Sequence, residues 1–180
     1  MGNTVAIVGS GPIGLAALMT AQLYSPAEII MVDVDENRLV VAKKFGATAL
    51  VNSGNEDPVA AVMKLTDGKG VDTSIEAVGI PATYSICEAI VAAGGRIANV
   101  GVHGHKVDLH LERLWSHNIT LTTRLVDTVT TPMLLKTVVS GKLLPKQLIT
   151  HHFTLDQVMA AYGTFGNAAS TRALKVIITP

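Results

Sequence analysis

Gly9-Ser10-Gly11-Pro12-Ile13-Gly14 follows directly on a short apolar, β-branched run (Thr4–Val8) and opens a segment of helical periodicity. Nineteen residues beyond the last of these glycines stands an acid, Asp33, at the end of a second apolar run. The string G-x-G-x-x-G carries little by itself. Strand, loop, helix and distal acid in this order form the fingerprint of a dinucleotide site. Gly9 would permit the tight turn, Gly11 would let the backbone approach a pyrophosphate, and Gly14 would let the helix close on the strand. Pro12 suits the first helical turn, and the free N–H groups and positive dipole end of that helix would hold the anion. Asp33 can accept both hydroxyls of the adenosine ribose, and its charge opposes a 2′-phosphate, so NAD(H) is expected over NADP(H). Arg38, five residues on, could contact the same ribose, stack on the adenine, or simply be a solvated helix arginine.

The other residue types capable of chemistry read differently. Six histidines (His103, His105, His110, His117, His151 and His152) invite a metal reading. His103 and His105 lack a cysteine or carboxylate at ligand spacing, and His151-His152 would alternate faces on a strand, so surface or structural roles are expected and no metal site. Cys87 falls in an apolar helical pattern and reads as core. As the single cysteine it excludes an intramolecular disulfide framework and a four-cysteine zinc site.

Short apolar runs alternate with helical patterns up to about residue 125 and must position these groups. Strands are expected at Thr4–Val8, Ile29–Val32, Ala49–Val51, Val71–Ala77, Arg96–Val100 and Ile119–Thr123. Helices are expected at Pro12–Tyr24, at Glu36–Phe45 with Gly46 closing it, and from an Asp57 cap and Pro58 to about Thr66. Two more follow, Ala82–Val91 broken by Gly94-Gly95, and a short one at Leu111–Ser116. Nearly continuous apolar strands separated by helices imply a parallel sheet covered on both faces. The expected fold is therefore a doubly wound α/β sheet of the Rossmann type, about six strands in the order 3-2-1-4-5-6. Ligands of such sheets lie across the carboxyl ends of the strands, which places Ala77-Val78-Gly79 and Val100-Gly101-Val102 beside the cofactor, or leaves them as plain core. After Thr130 the pattern changes to a helix (Thr131–Gly141), a strand (Ile149–Thr154), a helix (Asp156–Phe165) and a terminal strand (Leu174–Thr179). The expected division is a dinucleotide-binding domain over 1–128 and a C-terminal return segment over 129–180, whose two strands look meant to rejoin another sheet.

Composition agrees with a folded domain of this size. Apolar residues form 48% of the 180-residue chain and charged ones 16%, enough apolar content for a sizeable core. Fourteen basic residues offset fourteen acidic ones, which gives no electrostatic footprint for nucleic acid or an anionic membrane. Met1–Thr4 carries no basic leader, and no apolar stretch reaches the roughly 18 residues of a membrane span. A soluble, cytoplasmic protein is expected, with no nucleic-acid or membrane partner.

Four segments resemble the cofactor-binding domain of the medium-chain, zinc-dependent alcohol dehydrogenases, bacterial members above all. They are VAIVGSGPIGLAA (Val5–Ala17), IIMVDVDENRLVVAKKFGA (Ile29–Ala47), GKGVDTSIEAVG (Gly68–Gly79) and GGRIANVGVHG (Gly94–Gly104). The tail segments TTPMLLKTVVSGKL and ITHHFTLDQVMAAYGTF are similar to that family's return segment. The resemblance implies that Ile13 presses on the nicotinamide face, that Asp33 and Arg38 bind the adenosine ribose, and that Val100 and Val102 line the carboxamide. It implies that the region Val107–Thr123 builds a subunit interface, hence a homodimer or a tetramer, and that the substrate is a small alcohol or carbonyl compound. The family's zinc ligands and proton relay belong to a catalytic half that this sequence does not contain. The expected function is therefore that of the coenzyme-binding domain, inactive by itself. A stand-alone NAD(H)-binding module and a zinc-free quinone reductase-like domain are the alternatives, the latter opposed by Asp33 because that branch resembles NADPH binders.

Overall fold

The structure, a computed structural model, describes residues 1–126 and 128–180. Asp127, which falls within the first expected domain, lies outside the described residues. The chain divides into two compact units, Met1–Val126 and Asp127–Pro180.

The first unit alternates strand and helix throughout: β1 (Thr4–Val8), α1 (Pro12–Ala21), β2 (Glu28–Asp33), α2 (Glu36–Lys44), β3 (Ala49–Asn52), α3 (Pro58–Leu65), β4 (Val71–Glu76), α4 (Pro81–Ile90), β5 (Val91–Asn99), α5 (Leu111–Leu114) and β6 (Thr120–Thr123). The strands form one parallel sheet in the order β3-β2-β1-β4-β5-β6, as the pattern of apolar runs requires. Two of its neighbours, β1 and β4, are joined by no direct crossover, and the crevice between them opens at their carboxyl ends. Alternation along the strands feeds both faces. Ala6, Val8, Ile30, Val32, Val51 and Ile97 belong to one buried cluster with Val62, Tyr84, Cys87 and Ile90 from the helices. Ile7 and Met31, of opposite parity, are equally buried. Loss of that apolar area to water on unfolding is what holds the unit together.

One expected boundary is overturned. Gly94-Gly95 was expected to break a helix that runs to Val91. Instead α4 stops at Ile90 and β5 begins at Val91. Val91 pairs with Val71, and pairing resumes at Arg96 opposite Thr73, so the intervening residues bulge out of the ladder. Gly94 takes φ +77° in that bulge, and a Cβ on Gly95 would lie 2.7 Å from the Ala92 carbonyl oxygen. The glycines accommodate an irregular strand rather than end a helix. Val100 consequently lies just past the end of β5.

The second unit contains α6 (Thr131–Val139), β7 (Ile149–Thr154), α7 (Val158–Gly166), α8 (Ala168–Thr171) and β8 (Lys175–Thr179). Its two strands, expected to await a sheet from elsewhere, pair with each other in parallel. A Thr154–Gln157 capping box leads into α7 through a single tight turn. No helix among the described residues is long and apolar enough to cross a membrane.

Candidate dinucleotide-binding site

The loop between β1 and α1 gives each of its three glycines a separate physical reason. Gly9 has φ +107°, where a side chain is strained, and a Cβ would lie 2.5 Å from Val78 Cγ2. Gly14 sits inside the first turn of α1, where a Cβ would drive into the carbonyl oxygen of Gly9. Gly11 is different: its backbone is extended (φ −71°, ψ −176°), and nothing lies within 4 Å of where its Cβ would be. The space in front of it is open. α1 begins there with proline in its first turn, no side-chain cap and no acid in that turn. Its positive end therefore has no counter-charge from its own sequence.

Asp33 closes the loop from the neighbouring strand. Its side chain is 8% exposed, Oδ2 accepts the Ser10 N–H at 2.6 Å, and Oδ1 accepts the Asp35 N–H at 2.9 Å. A carboxylate held by two backbone donors points at a fixed place, and each oxygen keeps a lone pair for a further donor. Asp35 caps α2 by accepting from the Asn37 N–H at 2.8 Å, and its Oδ2 lies 3.9 Å from Arg38 Nε. Arg38 therefore leans on the α2 cap beside Asp33.

The ends of β4 and β5 complete the rim. Ile13, Val78 and Val100 are 45–48% exposed and Val102 is 84% exposed, a band of apolar side chains open to solvent at the carboxyl edge of the sheet. Ala77 and Gly101 are half-buried behind them. The Ala77 N–H donates to the Val8 carbonyl at 2.9 Å, which ties the end of β4 to the start of the glycine loop. A cavity of about 720 Å³ lies against the sheet between Val5, Ala17, Thr20, Ile75 and Ala98 and reaches Val100 of the rim, while no residue of the glycine loop lines it.

The structure thus brings Gly9, Gly11, Pro12, Ile13, Gly14 and Asp33 together, with Arg38 at one margin and the Val78 and Val100–Val102 edges at the other. Three further contributors carry no motif of their own in the sequence. Ser10 holds Asp33 through its backbone, Asp35 anchors Arg38, and Glu76 at the end of β4 accepts the N–H groups of Val78 and Gly79 at 3.0 and 2.8 Å. An acid at the carboxyl end of a central strand, where sheets of this kind bind their ligands, was the available signal for Glu76. Among the described residues, no group of three or more His, Cys, Asp or Glu side chains is arranged to hold a metal ion. Cys87 is fully buried, and burial with Glu76 nearby pushes its thiol well above the usual range, so it is no nucleophile. His151 stacks on Phe153 with ring centroids 6.5 Å apart.

The family model described as zinc-binding dehydrogenase matches residues 12–140, which is most of the chain. The chain belongs to the zinc-binding dehydrogenase family. An alcohol dehydrogenase of Cupriavidus necator is 36% identical across all of this chain and 50% of its own length. A zinc-dependent alcohol dehydrogenase of Streptococcus pneumonia, solved in its apo form, superposes with a TM-score of 0.95 at 52% identity, covering 99% of this chain and 52% of that one. A zinc-binding dehydrogenase of Sinorhizobium meliloti, solved bound to NADP, superposes with a TM-score of 0.90 at 26% identity, covering 99% of this chain and 53% of its own. The chain spans about half the length of the curated relatives it matches. Its place in the zinc-binding dehydrogenase family fixes the Rossmann architecture of the six-stranded unit.

Proposed function

We propose that this chain is the coenzyme-binding part of a zinc-dependent alcohol dehydrogenase and that it binds NAD(H) in preference to NADP(H). The observation that carries the reading is the Asp33 carboxylate, held beside an open, uncapped helix N-terminus by the Ser10 N–H at 2.6 Å. An anion in front of Gly11 would meet unopposed backbone donors, and a ribose one step away would meet a fixed acceptor. A 2′-phosphate in that place would face like charge.

When bound, the nicotinamide ring supplies the hydride chemistry, and zinc in such an enzyme belongs to residues outside this chain. What this chain does is positional. Gly11 and the first turn of α1 would take the pyrophosphate, and Asp33 with Arg38 would take the adenosine ribose. Ile13, Val100 and Val102 would set the depth and exposed face of the nicotinamide, while Ala77, Val78 and Gly101 close the crevice behind it. The substrate would be a small alcohol or its carbonyl partner, turned over in the cytoplasm. The four residues of β6 are all exposed at the sheet edge, which supports pairing of copies into a homodimer or a tetramer.

Calorimetric titration with NADH and, separately, NADPH tests this. NADH should saturate the chain with NADPH at least about tenfold weaker. Asp33→Ser should weaken NADH and shrink that difference. Equal binding of both coenzymes by the unaltered chain would remove Asp33 from the ribose, and binding of neither would overturn the coenzyme-domain reading.

A further inference from the structure

Glu76 is a fully buried carboxylate whose two oxygens are treated unequally. Oε1 accepts three donors, the N–H groups of Val78 (3.0 Å) and Gly79 (2.8 Å) and the Thr83 hydroxyl (2.6 Å). Oε2 has no hydrogen-bond donor, and His103 Nε2 lies 3.4 Å from it. A buried carboxyl with one oxygen left unpartnered is costly, so its presence calls for a purpose.

Its surroundings suggest what that purpose is. The Glu76 backbone carbonyl accepts the N–H groups of Val100 (2.9 Å) and Gly101 (3.1 Å), while its side chain holds those of Val78 and Gly79. One residue therefore grips both strand-end loops. Gly101 is small where a Cβ would strike Glu76 Oε2, and Gly79 where one would strike the Val102 carbonyl. His103 continues the connection: Nε2 pairs with Asn99 Oδ1 at 2.7 Å, and Asn99 Nδ2 donates to the Gly101 carbonyl at 3.1 Å. The Tyr84 ring meets His103 edge-on at 6.4 Å between centroids.

We propose that Glu76 and His103 form a latch that positions the Val78 and Val100–Val102 edges for the nicotinamide half of the coenzyme. Both are positioning residues: neither touches the ligand, and each acts through the backbone it holds. The inference rests on the coenzyme-binding reading above. Asp33 at the end of β2 assigns the adenosine half to the β2 side, so the latch sits under the opposite half of the ligand.

The test compares NADH with ADP-ribose, which lacks the nicotinamide, on the 180-residue chain and on Glu76→Gln and His103→Gln, with thermal melting alongside. Glu76→Gln should weaken NADH at least about tenfold and leave ADP-ribose within about twofold, because only the nicotinamide side loses its support. His103→Gln removes one partner of the latch and should give the same selective loss at about threefold. His103 lies nearer the surface, so this variant keeps the test decisive if Glu76→Gln fails to fold. Unchanged NADH affinity in His103→Gln would overturn the latch while leaving the coenzyme reading standing. So would equal weakening of both ligands, which would mark a merely structural role. An unaltered chain that binds neither ligand would overturn both.

Discussion

Helices α1 and α3 begin with the same residue and are finished in opposite ways. Each has proline in its first turn. Before Pro58 stands Asp57, whose carboxylate accepts the N–H groups of Val59 at 2.8 Å and Ala60 at 3.0 Å. Before Pro12 stands Gly11, which offers no acceptor and leaves open space. α3 is a helix completed by its own sequence; α1 is a helix left to be completed by something else. A good N-cap contributes about 1 kcal/mol, so its omission at a helix packed against the centre of the sheet is a choice with a cost. The missing cap alone does not set α1 apart, since α4 also starts with proline and no side-chain cap; the open space in front of Gly11 does.

Three substitutions sharpen or break that contrast. The largest effect should come from Gly14→Ala, because the new methyl meets the Gly9 carbonyl oxygen, which belongs to the backbone and has little room to shift. A loss of about 3 kcal/mol in urea unfolding is expected, and a neutral result would mean the loop is not closed as described. Gly11→Asp converts α1 into a copy of α3. It should leave stability unchanged or raise it by a few tenths of a kcal/mol, while NADH affinity in the titration falls about a hundredfold. Retained NADH affinity would show that the anion does not sit at α1. The smallest effect belongs to Asp57→Ala, which should cost about 1 kcal/mol of stability with no change in NADH binding. If it altered binding, the two helix starts would not be functionally distinct.

The doubly wound sheet and its strand order are legible in the sequence because both signals are local. Each strand is a short apolar run, each crossover is a helical pattern, and the handedness rule leaves few ways to connect them. The glycine loop and Asp33 are legible for the same reason, since function and spacing lie within thirty residues. What escaped is non-local. Glu76 stands opposite Asn99 in the β4–β5 register, and His103 comes four residues after Asn99, so the latch exists only once those strands pair. Gly94-Gly95 misled because a glycine pair after a helical pattern normally signals a stop, whereas here tertiary pairing recruits Val91 into β5 and bulges the glycines out. The tail strands are recognisable as strands from composition, but nothing in one strand's residues names its partner, and β7 and β8 choose each other.

With the ribose placed as proposed, the hydrogen bond from the Ser10 N–H to Asp33 Oδ2 makes one carboxylate both the floor of that pocket and the hasp of the loop beside it. Selection on coenzyme preference and selection on loop order therefore act on the same two oxygens. A lineage that exchanged this acid to admit a phosphorylated ribose would forfeit the acceptor that fastens Ser10, and a second change would have to refasten it.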